Sequence, residues 1–173
     1  MTTAELILYA TPAGPLADEL AGVYELISRT QPTTAQDYPP HCTLTGFFHR
    51  DADDIARIVT EIRDTLAAAD PRPSDAVAVA ALHQRSDWVG LEINSPWLAG
   101  VTEQFVRRHT LNDGDDPLRP KDWLHVSIGY GSGHGPHTIA ATREFDHTLS
   151  ATWDVGLWRR FADGSFSRLG FDD

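Results

Sequence analysis

The chain is poor in several features that would place it in a common class of protein. It has a single cysteine, Cys42, in 173 residues. No intrachain disulfide can form, and this favours a cytoplasmic location. No run of apolar residues approaches the ~18 that cross a bilayer, so no membrane attachment is expected. The first residues have no basic segment ahead of an apolar stretch, so a signal peptide is not expected either.

Basic residues are also scarce. The chain has 14 Lys and Arg against 25 Asp and Glu, a formal net charge of −11, and its only lysine is Lys121. A protein that holds a long nucleic acid along its backbone normally carries a basic stripe. We therefore expect no long nucleic acid as a partner, whereas a local pocket for one or two phosphates is compatible with this composition. The acidic surplus itself favours solubility.

What is present is an ordinary globular composition, with 41% hydrophobic residues. The length suits one domain over residues 1–173, or one domain built from two similar halves. Periodicity and turn residues predict strands at 5–10, 41–48, 76–82, 88–93, 123–129, 150–161 and 165–171, and helices at 16–28, 53–69, 96–109 and 137–145. These elements mix without a strict β–α–β alternation, so the predicted class is α+β.

Some local features are predicted in more detail. Thr11 to Pro15 should end the first strand. Asp53 and Ser95 are the expected N-caps of the second and third helices. The first helix should bury the apolar residues Leu16, Leu20, Val23 and Leu26.

Two short motifs half a chain apart are similar to each other. They are His41-Cys42-Thr43-Leu44 and His125-Val126-Ser127-Ile128, and each falls on a predicted strand. Side chains alternate between the two faces of a strand. Each histidine therefore shares a face with the hydroxyl residue two positions on, and the residues between them, including Cys42, should point into the core.

An imidazole pair with two hydroxyls suits the cleavage of a phosphodiester. The reaction needs one proton removed from the nucleophile and one delivered to the leaving oxygen, and histidine performs both tasks near neutral pH. Thr43 and Ser127 could hydrogen-bond the non-bridging phosphate oxygens. This chemistry requires no metal or cofactor, and we expect none. A single His-x-Thr is common by chance, so the prediction depends on having two copies.

With these two motifs the chain resembles the 2H phosphoesterase superfamily, which includes RNA 2′,5′-ligase-like proteins and cyclic phosphodiesterases of plants and yeasts. The resemblance implies a bilobal fold in which two antiparallel sheets line a central cleft, with helices outside. It implies catalytic roles for His41 and His125, and phosphate-binding roles for Thr43 and Ser127. It also implies that Tyr130, an aromatic five residues after the second histidine, lines the site.

Several aromatic and charged residues are further candidates for the site. Tyr130, Trp123 and Phe47 could stack on a base or ribose, since strand parity places Trp123 with His125 and Phe47 with His41, although burial is the alternative for all three. Trp88 could reach the cleft or pack in the core. Arg119 and Lys121 could meet a phosphate, but we interpret them as solvated loop charges.

Other apparent motifs are incomplete. His134 and His137 lack a third ligand at zinc spacing. The segment 112–116 lacks the ligand spacing and terminal Glu of a calcium loop. No glycine-rich phosphate loop or Gly-x-Ser-x-Gly elbow occurs.

The favoured hypothesis is a monomeric, metal-independent phosphodiesterase that opens a cyclic phosphate on a small nucleotide. An RNA-end processing or 2′,5′-phosphodiester ligase-like enzyme is the second, with a short RNA end as substrate. The third is a nucleotide-binding protein without turnover. The sequence does not decide which histidine is the base.

Overall fold

The computed structural model describes residues 3–69, 72–110, 118–131 and 135–170. Within them lie eight strands and four α-helices. The strands are β1 (Thr3–Ala13), β2 (Cys42–Thr43), β3 (Phe48–Asp51), β4 (Val79–Gln84), β5 (Trp88–Ile93), β6 (His125–Tyr130), β7 (Thr152–Arg160) and β8 (Phe166–Leu169). The helices are α1 (Pro15–Thr30), α2 (Ile55–Ala68), α3 (Pro96–Thr110) and α4 (Gly135–Thr142), with 3₁₀ turns at Thr34–Asp37 and Ala52–Asp54.

All eight strands belong to one antiparallel sheet. Its order is β4-β5-β6-β2-β1-β7-β8, and β3 also pairs with β1. The predicted α+β class is confirmed. The resemblance implied two sheets, but the structure has one, because β4–β5–β6 joins the remaining strands where β2 pairs with β6 at Cys42 and Val126. The similarity of the two halves stays a prediction.

The sheet has one apolar face and one face that carries the polar motif residues. Cys42 and Val126 are fully buried, as alternation along the two motif strands predicted. They share a continuous core with the apolar faces of the helices. From the sheet and helices this core includes Leu6, Leu8, Ala10, Leu44, Ile128, Leu16, Leu20, Ile58, Ile62, Leu98 and Phe105. The opposite face of the motif strands is left for the site.

The first strand is longer than predicted. The segment from Thr11 to Pro15 was expected to end it, and the strand does end there, but only after Pro12, which lies inside β1 opposite Trp153 of β7. The register of β1 with β2 covers only Tyr9 and Ala10, so Pro12 needs no N–H for that neighbour. The strand ends at Ala13 and is followed by Gly14, whose φ of 81° suits glycine.

The strand predicted over residues 41–48 is interrupted. It consists of β2, a single bridge between Thr45 and Pro120, and then β3. The Leu44 N–H still donates to the Leu8 carbonyl of β1 (2.9 Å), but the Gly46 N–H donates to the Arg119 carbonyl (3.0 Å), in the loop before β6. The prediction of one continuous strand was wrong, because Arg119 and Pro120, which bond to this stretch, come from a distant part of the chain.

Two details of the helices also differ from the sequence prediction. Leu26 of α1 was predicted to be buried but is 50% exposed, whereas the next residue, Ile27, is buried. At the C-terminal end of α1 the buried face is therefore shifted by one residue from the predicted one. Asp53 does not cap α2, because residues 52–54 form a 3₁₀ turn and α2 begins at Ile55. Ser95 does cap α3, since its Oγ accepts a hydrogen bond from the Leu98 N–H (3.3 Å).

The remaining sequence predictions concern absent or incomplete features. None of the helices among the described residues is long and apolar enough to span a bilayer. Residues 112–116, His134, Phe171 and the side chain of His137 lie outside the part of the chain that the structure describes. The Cys42 thiol is buried in the core, and burial raises its pKa to about 12, so it stays protonated at neutral pH.

Candidate active site

The pairing of β2 with β6 brings the two motifs together. Cys42 and Val126 are partners in an antiparallel pair. Extending that register by one residue places His41 across from Ser127, and Thr43 across from His125. Directly opposed residues lie about 4.5–5.5 Å apart and diagonal ones about 7–8 Å apart. The four side chains thus form a small quadrilateral on one face, with the histidines at opposite corners.

The His41 ring is held by two neighbours. Its Nδ1 lies 2.9 Å from the Pro39 carbonyl oxygen. Its face packs against the Tyr9 ring of β1, with 4.3 Å between the ring centroids. Because a carbonyl oxygen only accepts, Nδ1 carries the proton and Nε2 of the neutral ring has a free lone pair.

The His125 ring repeats this pattern with different partners. Its Nδ1 lies 3.2 Å from the Trp123 carbonyl oxygen, again two residues earlier in the chain. The Trp123 ring stacks on it at 4.6 Å, and Trp88 meets it edge-on at 5.4 Å. His125 is therefore also protonated on Nδ1, and both rings leave Nε2 for chemistry.

Both imidazoles titrate below their usual range. Burial lowers the pKa of His41, and the hydrogen bond to the Pro39 carbonyl partly opposes this. Burial also lowers the pKa of His125, against the Trp123 carbonyl, and the charges of Lys121, His41 and Arg85 lower it further. Both rings are therefore mainly neutral at neutral pH. A bound phosphate would raise these pKa values, because an anion stabilises the imidazolium.

The hydroxyl of Ser127 is orientated by its neighbours. Its Oγ accepts from the Trp88 indole N–H (3.0 Å) and from the Tyr130 hydroxyl (2.7 Å). A serine oxygen has two lone pairs and one proton. With both lone pairs occupied, Ser127 can only donate to a further group. It is therefore a hydrogen-bond donor aimed at whatever lies in the pocket.

A pocket of about 380 Å³ opens over the four motif side chains. This volume lies within the ~300–1,000 Å³ of small-molecule sites. Tyr130 and Phe47, two of the predicted substrate-binding residues, line the pocket and are 45% and 42% exposed, and their binding role stays a prediction. Trp123 is not among the lining residues, and it contributes instead by stacking on His125.

Other pocket residues were not identified from the sequence. Tyr9, Tyr38 and Phe166 line it from β1, the first 3₁₀ turn's end and β8. Their rings contact one another, with 5.3 Å between the Tyr38 and Phe166 centroids and 6.1 Å between those of Tyr9 and Phe166. Alternation along β1 could have placed Tyr9 opposite its buried leucines, but no local signal connects these three residues.

The interpretation of Lys121 as a solvated loop charge was incomplete. Its side chain is exposed but lines the pocket, and its backbone N–H donates to the Leu44 carbonyl (2.9 Å). The chain's only lysine therefore lines the same pocket as His125. Arg119, two residues earlier, is exposed and is not among the lining residues. Among the described residues, no group of three or more His, Cys, Asp or Glu side chains is arranged to hold a metal ion.

Comparison with known proteins connects this geometry to solved structures. No protein-family model and no curated protein sequence matches the chain. Ligand-free Escherichia coli LigT superposes with a TM-score of 0.57 at 16% identity, over 98% of this chain and 96% of that chain. The chain has the fold of LigT.

Two further structures agree with that assignment. The LigT complex with 3′-AMP gives a TM-score of 0.54 at 17% identity, over 98% of this chain and 96% of LigT. A solved phosphoesterase gives 0.58 at 14% identity, over 96% of both chains. At this level of identity the likeness shows the fold.

Proposed function

We propose that the chain is a 2H phosphoesterase, a metal-independent phosphodiesterase that opens a 2′,3′-cyclic or 1″,2″-cyclic phosphate on a small nucleotide. The observation that carries the proposal is the pair of Nε2 atoms at opposite corners of the β2–β6 quadrilateral. Each His Nδ1 is occupied by a backbone carbonyl, so both Nε2 atoms are available to exchange protons.

Two proton transfers accompany ring opening. Nε2 of one neutral histidine takes a proton from the attacking water as the water oxygen bonds to phosphorus. Protonated Nε2 of the other histidine donates to the ribose oxygen as its bond to phosphorus breaks. After the reaction the two imidazoles have exchanged protonation states, and proton exchange with solvent restores the starting states. Opposite corners suit this reaction because the attacking and leaving oxygens lie on opposite sides of the phosphorus.

The charge on the phosphate would be met by groups around the quadrilateral. Ser127 is restricted to donating a hydrogen bond, and Thr43 lies beside His125 in the same register. Lys121 adds a positive charge at the pocket edge. Donors fixed before the substrate arrives stabilise developing charge without reorganisation, and this is the main electrostatic contribution to such catalysis.

The size and lining of the pocket support a small nucleotide as substrate. Exposed Tyr130 and Phe47 offer ring faces to a base or ribose. LigT, which has the same fold, has been solved with 3′-AMP bound. A mononucleotide is compatible with the pocket volume, and the net charge of −11 disfavours a long strand.

A second candidate is an enzyme that processes a short RNA end or forms or breaks a 2′,5′ linkage. The observation in its favour is an aromatic ring of the pocket lining that carries a cation on its face. The Arg160 guanidinium lies over Phe47, 5.2 Å from the ring centroid. A cation on an aromatic ring could hold one further nucleotide. A nucleotide-binding protein without turnover is the third candidate, and it shares every contact except the proton transfers.

The test is turnover in EDTA of 2′,3′-cyclic nucleotides, ADP-ribose 1″,2″-cyclic phosphate, 2′,5′-linked dinucleotides and short RNA. We expect a cyclic phosphate to be opened, and both His41→Ala and His125→Ala to lose that activity while remaining folded. His147→Ala is the matched control, because His147 is exposed and does not line the pocket. Retention of full turnover by either pocket mutant would exclude the paired mechanism. Binding of 3′-AMP without turnover of any substrate would favour the third candidate.

A further inference from the structure

Trp88 contacts both functional residues of the second motif. Its indole N–H donates to Ser127 Oγ (3.0 Å), and its ring meets the His125 ring edge-on at 5.4 Å. It lies on β5, where Trp88 pairs with Tyr130 and Gly90 pairs with Ser127. A side chain of the neighbouring strand thus contacts both His125 and Ser127.

Gly90 is what allows the indole to lie there. A Cβ on Gly90 would fall 2.2 Å from Trp88 Cζ2 and 2.5 Å from the Val126 carbonyl oxygen. Real Cβ atoms do not approach other atoms so closely. The absence of a side chain on Gly90 therefore leaves a bare patch of β5 across which Trp88 folds back to reach Ser127.

The other side of the indole is also covered. The Trp123 ring meets Trp88 edge-on at 5.2 Å. The Arg85 guanidinium lies 5.7 Å from the Trp88 ring and 5.5 Å from the Trp123 ring. These contacts restrict the rotation of the indole, so its N–H has a defined direction.

We propose that Trp88 is a positioning residue that turns the Ser127 hydroxyl proton toward the bound phosphate. An indole N–H can only donate, so it holds one lone pair of Ser127 Oγ permanently. Without the indole, the Ser127 proton could turn into the position that the indole N–H now occupies, away from the phosphate. This inference rests on the proposed function for its effect on catalysis, but the hydrogen bond itself can be tested without any turnover.

The kinetic test compares Trp88→Phe with Trp97→Phe. Both changes delete an indole N–H, and that of Trp97 binds the Ala69 carbonyl (3.1 Å). We expect Trp88→Phe to lower kcat on the cyclic phosphate about fivefold to tenfold with little change in KM, the range for one lost hydrogen bond. Trp97→Phe should leave both constants unchanged. A Trp88→Phe enzyme with the wild-type kcat would overturn the proposal.

A double mutant separates positioning from general packing. If Trp88 acts through Ser127, Trp88→Phe should cause no further loss in a Ser127→Ala background. Losses that multiply would show that Trp88 acts elsewhere, and would contradict the proposal.

An NMR measurement keeps this inference separate from the proposed function. The Trp88 indole N–H resonance is the one missing from the ¹H–¹⁵N spectrum of Trp88→Phe. In Ser127→Ala it should shift and exchange faster with water, while the Trp97 indole resonance stays in place. An unchanged Trp88 resonance would refute the hydrogen bond. This holds even if the wild type hydrolyses no phosphodiester, an outcome that would refute only the proposed function.

Discussion

The two histidine motifs share a backbone arrangement and differ in surroundings. In both, the histidine Nδ1 is hydrogen-bonded to the backbone carbonyl two residues earlier, that of Pro39 for His41 and that of Trp123 for His125. His41 then packs on a phenol ring, that of Tyr9. His125 packs against two indoles, those of Trp123 and Trp88, and the charges of Lys121 and Arg85 lower its pKa. The motif thus defines which nitrogen is free, and the neighbouring strands define how readily it takes a proton.

The same contrast holds for the two hydroxyls. Ser127 accepts two hydrogen bonds, whereas no hydrogen bond to the Thr43 hydroxyl is found among the described residues. The second motif is therefore the more strongly organised of the two before substrate arrives. A preorganised donor contributes more to catalysis than one that must reorientate.

The largest effect on kcat should come from replacing either histidine. We expect His41→Asn and His125→Asn each to lower kcat about 10²–10⁴-fold, the range for one general acid or base. The double mutant should be little worse than either single mutant, because proton removal and delivery act as a unit. The measurement is single-turnover hydrolysis of the best cyclic phosphate. Fully multiplied losses in the double mutant would show two independent roles.

The next effect compares the two hydroxyls. Ser127→Ala should lower kcat about 10²-fold, in the lower part of the range for an orientated donor. Thr43→Val keeps the side-chain volume and should cost less, because the Thr43 hydroxyl is less firmly held. Steady-state kinetics of the two variants at one pH measures the difference. A greater loss for Thr43→Val would reverse the order of organisation inferred from the hydrogen bonds.

A smaller effect concerns the acidity of His125. The positive charge of Lys121 lowers the pKa of His125, so Lys121→Ala should raise that pKa while leaving that of His41 nearly in place. Titration of the imidazole ¹⁵N resonances measures both. The limb of the kcat/KM profile that belongs to His125 should move to higher pH. An equal shift of both histidines would mean that the charge acts on the whole pocket.

The smallest effect is expected at Tyr9. Burial raises the pKa of its phenol to about 12, so it remains protonated at neutral pH and is no general base. Tyr9→Phe keeps the ring that packs on His41 and should change kcat less than about twofold, because no hydrogen bond of the mechanism is lost. Tyr9→Ala removes the packing surface and should cost clearly more. Equal effects of the two substitutions would assign the phenol oxygen a role.

The pairing of each histidine with a hydroxyl residue on one face could be predicted from the alternation of side chains along a strand. Alternation along two short strands was enough to place His41 with Thr43, and His125 with Ser127, on faces opposite Cys42 and Val126. The catalytic roles stay predictions. The aromatic side of the pocket could not be foreseen, because Tyr9, Tyr38 and Phe166 meet only through pairing of strands far apart in the chain.

The sequence by itself determined the α+β class, the two motifs, their shared faces and the burial of the cysteine between them, since these depend on local periodicity. Tertiary structure decided that β2 and β6 join in one sheet, that the histidines stand at opposite corners, and that Trp88 crosses Gly90 to reach Ser127. It also decided that Lys121 lines the pocket. Each of these depends on the register between distant strands, which no local pattern specifies.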